Sequence, residues 1–435
     1  MTRKDEKTKS LEGFPFFPNP PRSLKETGLN LGFLSDLVLK TLYFEGFMTG
    51  SQIAEALSLP FSGVVDKVLE FLRRERLCEV RGSKSVSERD FEYVITEKGS
   101  EKAKEVLERS QYVGPAPVPL EDYRKAIKAQ ALSRNPISPG KLRKALSHLV
   151  LGEDVLSKLG PGVNMGRSIF LYGPPGNGKT AISEAIGKLI MEDTMFIPYA
   201  VEVNGHVIKV YDNLNHKLVV QEAETLIQYD RRWLLIHRPF LTAGGELTME
   251  DLDLIYNEIT KYYEAPLQMK ANGGMLLIDD FGRQQARPQD ILNRWIVPLE
   301  KRVDYLTMHT GLKIEIPFEV LIVFSTNLPP HRLADEAFLR RIRHKIEVRN
   351  PTFEEYRLIF KRECERRGIP YDEKVLIYLL KEHYIKNKIP LRACHPRDLL
   401  DEIESIARYS NTSPRLTREM IDKAWSSYYL SISRR

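Results

Sequence analysis

Helical and strand periodicities take turns along this chain. Between residues 31 and 110, apolar positions fall at helical spacing over 33–44 (Phe33, Leu34, Leu37, Val38, Leu42), over 49–57, and over 61–74 (Val64, Val65, Val68, Leu69, Leu72). Two short apolar runs, 77–82 and 91–96, predict strands around the polar tip 82–85, and a charged helix over 97–109 closes the unit. Ahead of it, residues 1–30 are rich in proline and charge and hold Phe14, Phe16 and Phe17. They predict an extended arm, either a flexible tail or a segment docked through its Phe residues. Behind it, 111–120 carries three prolines and predicts a stiff linker.

Past the linker the pattern changes. Helices are expected over 121–133 and 139–151, the latter leading into the apolar segment 149–151. Residues 168–172 form a near-continuous apolar run, as a buried strand requires, and 181–190 returns to helical spacing. Residues 196–203 and 206–211 alternate around Asn204-Gly205, a strong two-residue turn signal, with Val201 facing Ile208 and Tyr199 facing Val210. An aromatic segment follows at 231–240, and Thr248 with Asp251 caps a helix expected over 249–264. The span 194–246 therefore reads as an insertion, the kind of loop that carries partner contacts. Apolar strands over 274–280 and 320–327 end in Asp279-Asp280 and in Asn327. Between them lie a helix over 291–299 and a hairpin over 305–318. A helix over 335–342 and a strand over 344–348 lead into an all-helical region, 352–435.

The chemistry concentrates where the run 168–172 gives way to the helix. The intervening residues are Gly173, Pro174, Pro175, Gly176, Asn177, Gly178, Lys179 and Thr180, followed by Ala181. Strand, Gly-rich turn and helix make the context of a phosphate-binding P-loop. Glycines let backbone N–H groups point at phosphate oxygens, and the helix adds the positive end of its dipole. Lys179 is expected to reach the β and γ phosphates of ATP, with the Thr180 hydroxyl on Mg²⁺. Asp279 completes the magnesium site, and Asp280 stands where a carboxylate polarises the attacking water. Asp280-Phe281-Gly282 also spells a kinase motif, but its companion motifs are missing, so a kinase is not expected.

Composition narrows the class. The 435 residues allow two to four domains, and 42% apolar with 29% charged content is ordinary for a soluble globular protein. No apolar run approaches the roughly 18–20 residues that span a bilayer, so no membrane span is expected. The three cysteines, Cys78, Cys364 and Cys394, are few and scattered, which with a polar N-terminus suggests a cytoplasmic protein. No Cys/His spacing suggests zinc. A net charge of +6 permits nucleic-acid contact without demanding it.

Two resemblances organise these observations. Three helices, two short strands and the phrase Thr49-Gly50-x-Gln52-Ile53-Ala54-x-x-Leu57 resemble a winged-helix domain over 31–110. The helix that would enter a DNA groove opens without Arg, Asn or Gln to read bases. Lys67, Arg73, Arg74, Arg76, Arg81, Lys84 and Arg89 remain for phosphates, so DNA contact and protein contact both stay open.

From about residue 135 onward, the motif order resembles an AAA+ ATPase: Walker A, Walker B, a strand ending in Asn, a helix ending in paired arginines, then helices. The resemblance implies an α/β core over 121–350 with a five-stranded parallel sheet, the insertion at 194–246, and a helical lid over 351–435. It implies ATP and Mg²⁺ as ligands and a homo-oligomeric ring, expected as a hexamer. By match, Asn327 is sensor 1 and Arg397 is sensor 2. Arg341 is the arginine finger lent to a neighbour, with Arg340 in reserve. The hairpin over 305–318 resembles an insert of one AAA+ branch. Asp280 departs from the family's usual Glu, which puts the hydrolysis rate in question. The function implied is ATP-driven remodelling of a protein client; the alternatives are a DNA-associated ATPase and an ATP-gated assembly switch with very low turnover.

Overall fold

The computed structural model describes residues 15–83, 87–220, 228–333 and 336–430. Its organising element is a sheet of five parallel strands: β1 (Ser168–Tyr172), β2 (Phe240–Ala243), β3 (Met275–Ile278), β4 (Leu321–Thr326) and β5 (His344–Glu347). They lie in the order β2-β3-β4-β1-β5. The central strands are buried on both faces, which is why their sequences are continuous apolar runs. Successive residues point to opposite faces. Phe170, Leu276, Ile278, Ile322 and Phe324 pack with Trp295 of helix α2 (Pro288–Lys301). Ile169, Leu171, Met275, Leu277 and Val323 pack instead with Ile182 and Ile186 of helix α1 (Lys179–Ile190).

The span expected as an insertion is partly core, because it supplies edge strand β2. Upstream of β2, Thr194–Pro198 pairs antiparallel with Trp233–His237. The Asn204-Gly205 hairpin forms as expected, with Val201 opposite Ile208 and the Val210 N–H on the Tyr199 carbonyl. Both turn residues have positive φ, +49° and +83°, as a type I′ turn demands. The hairpin belongs to a second five-stranded sheet with Ile255–Tyr256, Tyr263–Glu264 and Val118–Pro119.

The helix expected over 249–264 does not form. Thr248 and Asp251 do exchange the capping bonds, but they open only a single turn, Glu250–Leu252. The next residues are rich in Ile, Thr and Tyr, which suit a pleated surface, and Tyr263 pairs with Ile208 there.

The linker expected at 111–120 is not a spacer. Tyr112 and Ala116 are buried in the N-terminal core, and the Ala116 N–H donates to the Leu57 carbonyl at 2.8 Å. Val118 and Pro119 pair with Val201 and Glu202. Nearly buried Arg232 fastens the joint: it pairs with Asp230 at 2.8 Å and donates to the Thr27 and Pro117 carbonyls. The arm is likewise docked, with Phe16 against Trp233 and Phe17 against Phe196. Phe14 lies outside the described residues.

In the N-terminal unit, Phe91–Ile95 pairs antiparallel with Phe47–Thr49 and with Cys78–Ser83. The helix expected over 61–74 starts only at Asp66, since Ser62 is extended and Gly63 has φ +84°. The arm explains this. The Leu24 N–H bonds the Gly63 carbonyl at 3.1 Å, and a Cβ on Gly63 would stand 2.3 Å from the Arg22 carbonyl oxygen. Lys84 lies outside the described residues.

Helices α3 (Phe353–Arg367), α4 (His395–Tyr409) and α5 (Arg418–Leu430) make the C-terminal helical unit, with Tyr356, Phe360, Leu399, Ile403 and Trp425 inside. Between 121 and 165 there are three α-helices rather than the two expected, the third being Glu153–Met165. Only Glu336–Leu339 of the helix expected over 335–342 is helical, and Asp335 lies outside the described residues.

Candidate active site

Strands β1, β3 and β4 are neighbours, and the loops leaving their C-terminal ends meet. Crevices at such strand ends are where open parallel sheets bind ligands. After β1, Gly173, Gly176 and Gly178 take φ of +141°, +80° and +85°, so the chain turns back over the start of α1. Gly173 is required on a second count, since a Cβ there would fall 2.3 Å from the Val348 carbonyl oxygen. Lys179 is the first residue of α1 and is 6% exposed. Its ammonium donates to the carbonyls of Gly173 at 3.0 Å and Pro174 at 2.9 Å, and to Asn327 Oδ1 at 2.7 Å. Burial lowers its pKa, and the charges of Asp280 and Asp279 oppose that shift.

Thr180 turns its hydroxyl to both carboxylate oxygens of Asp279, at 3.1 and 3.0 Å. Asp280, at the next position, has φ +47°, a conformation that Asp tolerates better than most residues. The Phe281 N–H on the Ser325 carbonyl, 2.7 Å, locks this turn against β4. Asn327 then bridges the site: its Nδ2 donates to Asp280 Oδ1 at 3.3 Å while its Oδ1 accepts from Lys179. The amide orientation follows from its neighbours, since an ammonium only donates and a carboxylate only accepts.

Lys179, Thr180, Asp280 and Asn327 border a cavity of about 520 Å³. Pro175 to Ala181, Asp280 and Asn327 form one wall, residues 148–151 and Ile359 another, and Arg397 reaches in from the helical unit. Gly173 and Pro174 contribute through their carbonyls on Lys179. The helical unit is tied to the Gly-rich loop directly. The Cys394 N–H donates to the Gly176 carbonyl at 2.8 Å, and the Ala393 N–H donates to Asn177 Oδ1 at 3.2 Å. Arg362 of α3 grips the 147–149 segment through the Ser147 carbonyl at 3.0 Å. No local pattern marks these ties; they join residues more than 200 positions apart.

Arg340 and Arg341 stand elsewhere. With Arg167, Arg343 and Glu300 they border a separate groove, where Arg341 Nε lies 2.7 Å from Glu300 Oε1. Arg167 immediately precedes β1 and Arg343 immediately precedes β5, so this groove is at the opposite end of the sheet. One five-residue strand, about 16 Å, separates it from the Gly-rich loop.

Among the described residues, no group of three or more His, Cys, Asp or Glu side chains is placed to hold a metal alone. Thr180 and Asp279 do offer a hydroxyl and a carboxylate side by side. That donor set suits Mg²⁺, which is bound through one or two carboxylates plus substrate phosphates. Among the described residues, no helix is long and apolar enough to cross a membrane.

A family model described as "Domain of unknown function (DUF8689)" matches residues 352–427, the helical unit. No curated protein matches the chain in sequence.

Proposed function

We propose that this chain is a Mg²⁺-dependent AAA+ ATPase that works as a ring of copies and remodels a protein or protein complex. One observation carries the reading. Lys179, Thr180, Asp280 and Asn327, from the loops that follow three adjacent strands, border one cavity, and Asp279 accepts the Thr180 hydroxyl beside it.

A Mg²⁺ ion held by Thr180 and Asp279 would neutralise phosphate charge. Thr180 and Asp279 hold that ion's side of the site. Lys179 presents an ammonium already stripped of much of its water, which strengthens its pull on a phosphate. Asp280 takes the proton side of the attacking water, and Asn327, tied to both Asp280 and Lys179, fixes the distance between base and phosphate. Arg397 adds positive charge from the helical unit. Arg341, a strand's length away from its own cavity, serves the cavity of a neighbour, where such a residue contributes about 10³–10⁵ in rate.

The N-terminal winged-helix-like unit contacts a protein in this reading. The start of its candidate groove helix is covered by Arg22 to Leu24. Lys67 pairs with Glu70 at 3.0 Å, Arg74 with Glu75 at 3.6 Å and Arg73 with Glu88 at 3.9 Å. Acids beside these cations weaken their attraction to DNA phosphates.

The test is turnover against protein concentration. Shared pockets make activity rise more steeply than linearly with protein concentration until assembly saturates. Strictly proportional activity from a monomer, seen by light scattering over the same range, refutes the shared pocket.

A further inference from the structure

Arg397 does not face the cavity unaided. Its Nε and Nη2 both donate to Asp398 Oδ1, at 3.0 and 2.9 Å. The other oxygen of Asp398, Oδ2, accepts the Tyr428 hydroxyl at 2.9 Å. Tyr428 comes from α5, the last described helix, so Asp398 joins Arg397 to that helix, and the Cys394 side chain hydrogen-bonds to both Asp398 and Tyr428. Asp398 takes the Nε and Nη2 side of the guanidinium and leaves the Nη1 corner to a ligand.

The tyrosine itself is held firmly. Its neighbour Tyr429 stacks on Trp425, rings 4.0 Å apart and 15° from parallel, and its hydroxyl lies 3.3 Å from His395 Nε2. His395 is buried and meets the Tyr384 hydroxyl on its other nitrogen at 2.9 Å. Helix α5 therefore grips α4 at residues 395 and 398, on both sides of Arg397. Three positions before Arg397, Cys394 touches the Gly-rich loop: a Cβ on Gly176 would stand 2.5 Å from its sulfur.

We infer that Tyr428, acting through Asp398, is the positioning residue that holds Arg397 toward the terminal phosphate, so that α5 controls discrimination between nucleoside triphosphate and diphosphate. This rests on the ATPase reading above. An exposed arginine samples many rotamers; a carboxylate fixed from behind restricts it to those that reach the cavity. Without the tyrosine hydroxyl, Asp398 loses its tie to α5, and the triphosphate-specific contact weakens while contacts to the inner phosphates stay.

The experiment is calorimetric titration of the full chain with a non-hydrolysable ATP analogue and with ADP. Tyr428→Phe removes one hydroxyl and keeps the ring in place. It is expected to weaken the analogue by about three- to ten-fold, the worth of one hydrogen bond, and to leave ADP unchanged. Asp398→Asn, which retains size, should do the same. Arg397→Ala should abolish the preference for the triphosphate, and adding Tyr428→Phe to it should change nothing further, since the two act through one contact. Equal weakening of both nucleotides, as loosened helical packing would produce, overturns the inference; so does additivity of the two substitutions. Wild-type protein that binds neither nucleotide overturns the ATPase reading itself, and this inference with it.

Discussion

The Lys179 ammonium and the Asn327 side-chain oxygen lie 2.7 Å apart, joining the start of α1 to the end of β4 across 148 residues of chain. The same amide reaches Asp280 with its nitrogen. One side chain therefore ties the Lys179 ammonium to the Asp280 carboxylate, and the variants below separate their contributions.

Lys179→Ala should cost nucleotide affinity before anything else. The ammonium is buried beside the cavity and donates to the Gly173 and Pro174 carbonyls and to Asn327 Oδ1. Loss of a charge-assisted bond of about 1.5–3 kcal/mol weakens ATP binding by roughly ten- to a hundred-fold, with an unchanged melting temperature in the absence of nucleotide. Titration with a fluorescent ATP analogue checks this; undiminished affinity removes Lys179 from the site.

Asp280→Asn should separate binding from turnover. The amide retains the size of the carboxylate but does not accept the water's proton. Single-turnover rates should fall by about 10²–10⁴, while ATP affinity holds and the ATP-bound assembly persists. Loss of ATP binding in this variant would mean that Asp280 serves the ligand and not the water.

Arg341→Ala and Asp280→Asn should complement each other. Each alone is inactive, one for want of the lent arginine and the other for want of the base. In mixed rings, a pocket with Asp280 intact meets a neighbour with Arg341 intact. Mixing the two purified variants should therefore give more activity than their sum. A mixture that stays at the sum confines Arg341 to its ion pair with Glu300.

Acid should loosen the helical unit through His395. Burial pushes its pKa down to about 4 from an ordinary 6.5, so the folded chain keeps it neutral where the unfolded chain takes a proton. Its contribution is full above pH 6.5 and is lost as pH falls toward 4, by about 3 kcal/mol in all. Urea midpoints at pH 7 and pH 4.5 should fall further for wild type than for His395→Gln. Equal falls would assign the acid sensitivity to other groups.

The parts of the site legible in the sequence are those fixed by neighbours along the chain. Gly173, Gly176 and Gly178 announce a turn because only glycine takes those dihedrals cheaply, and Lys179 and Thr180 follow as the first turn of α1. Asp279, Asp280 and Asn327 announce themselves as polar ends of apolar strands. The Asn204-Gly205 register is legible for the same reason, since a two-residue turn leaves one pairing.

Other features depended on surfaces that meet only after folding. Residues 249–264 carry a helix cap, yet pairing with the distant strand His206–Lys209 outweighs it. The segment 111–120 has the composition of a linker but buries Tyr112, Ala116, Pro117 and Val118, because Leu57 and Val201 offer it bonds and cover. Likewise the Tyr428–Asp398–Arg397 chain and the grip of Ala393 and Cys394 on the Gly-rich loop join residues that no local pattern connects. Dihedral preference and strand-end polarity act over a few residues and survive in the linear chain. Burial and long-range pairing are decided by what the rest of the molecule brings to the same place.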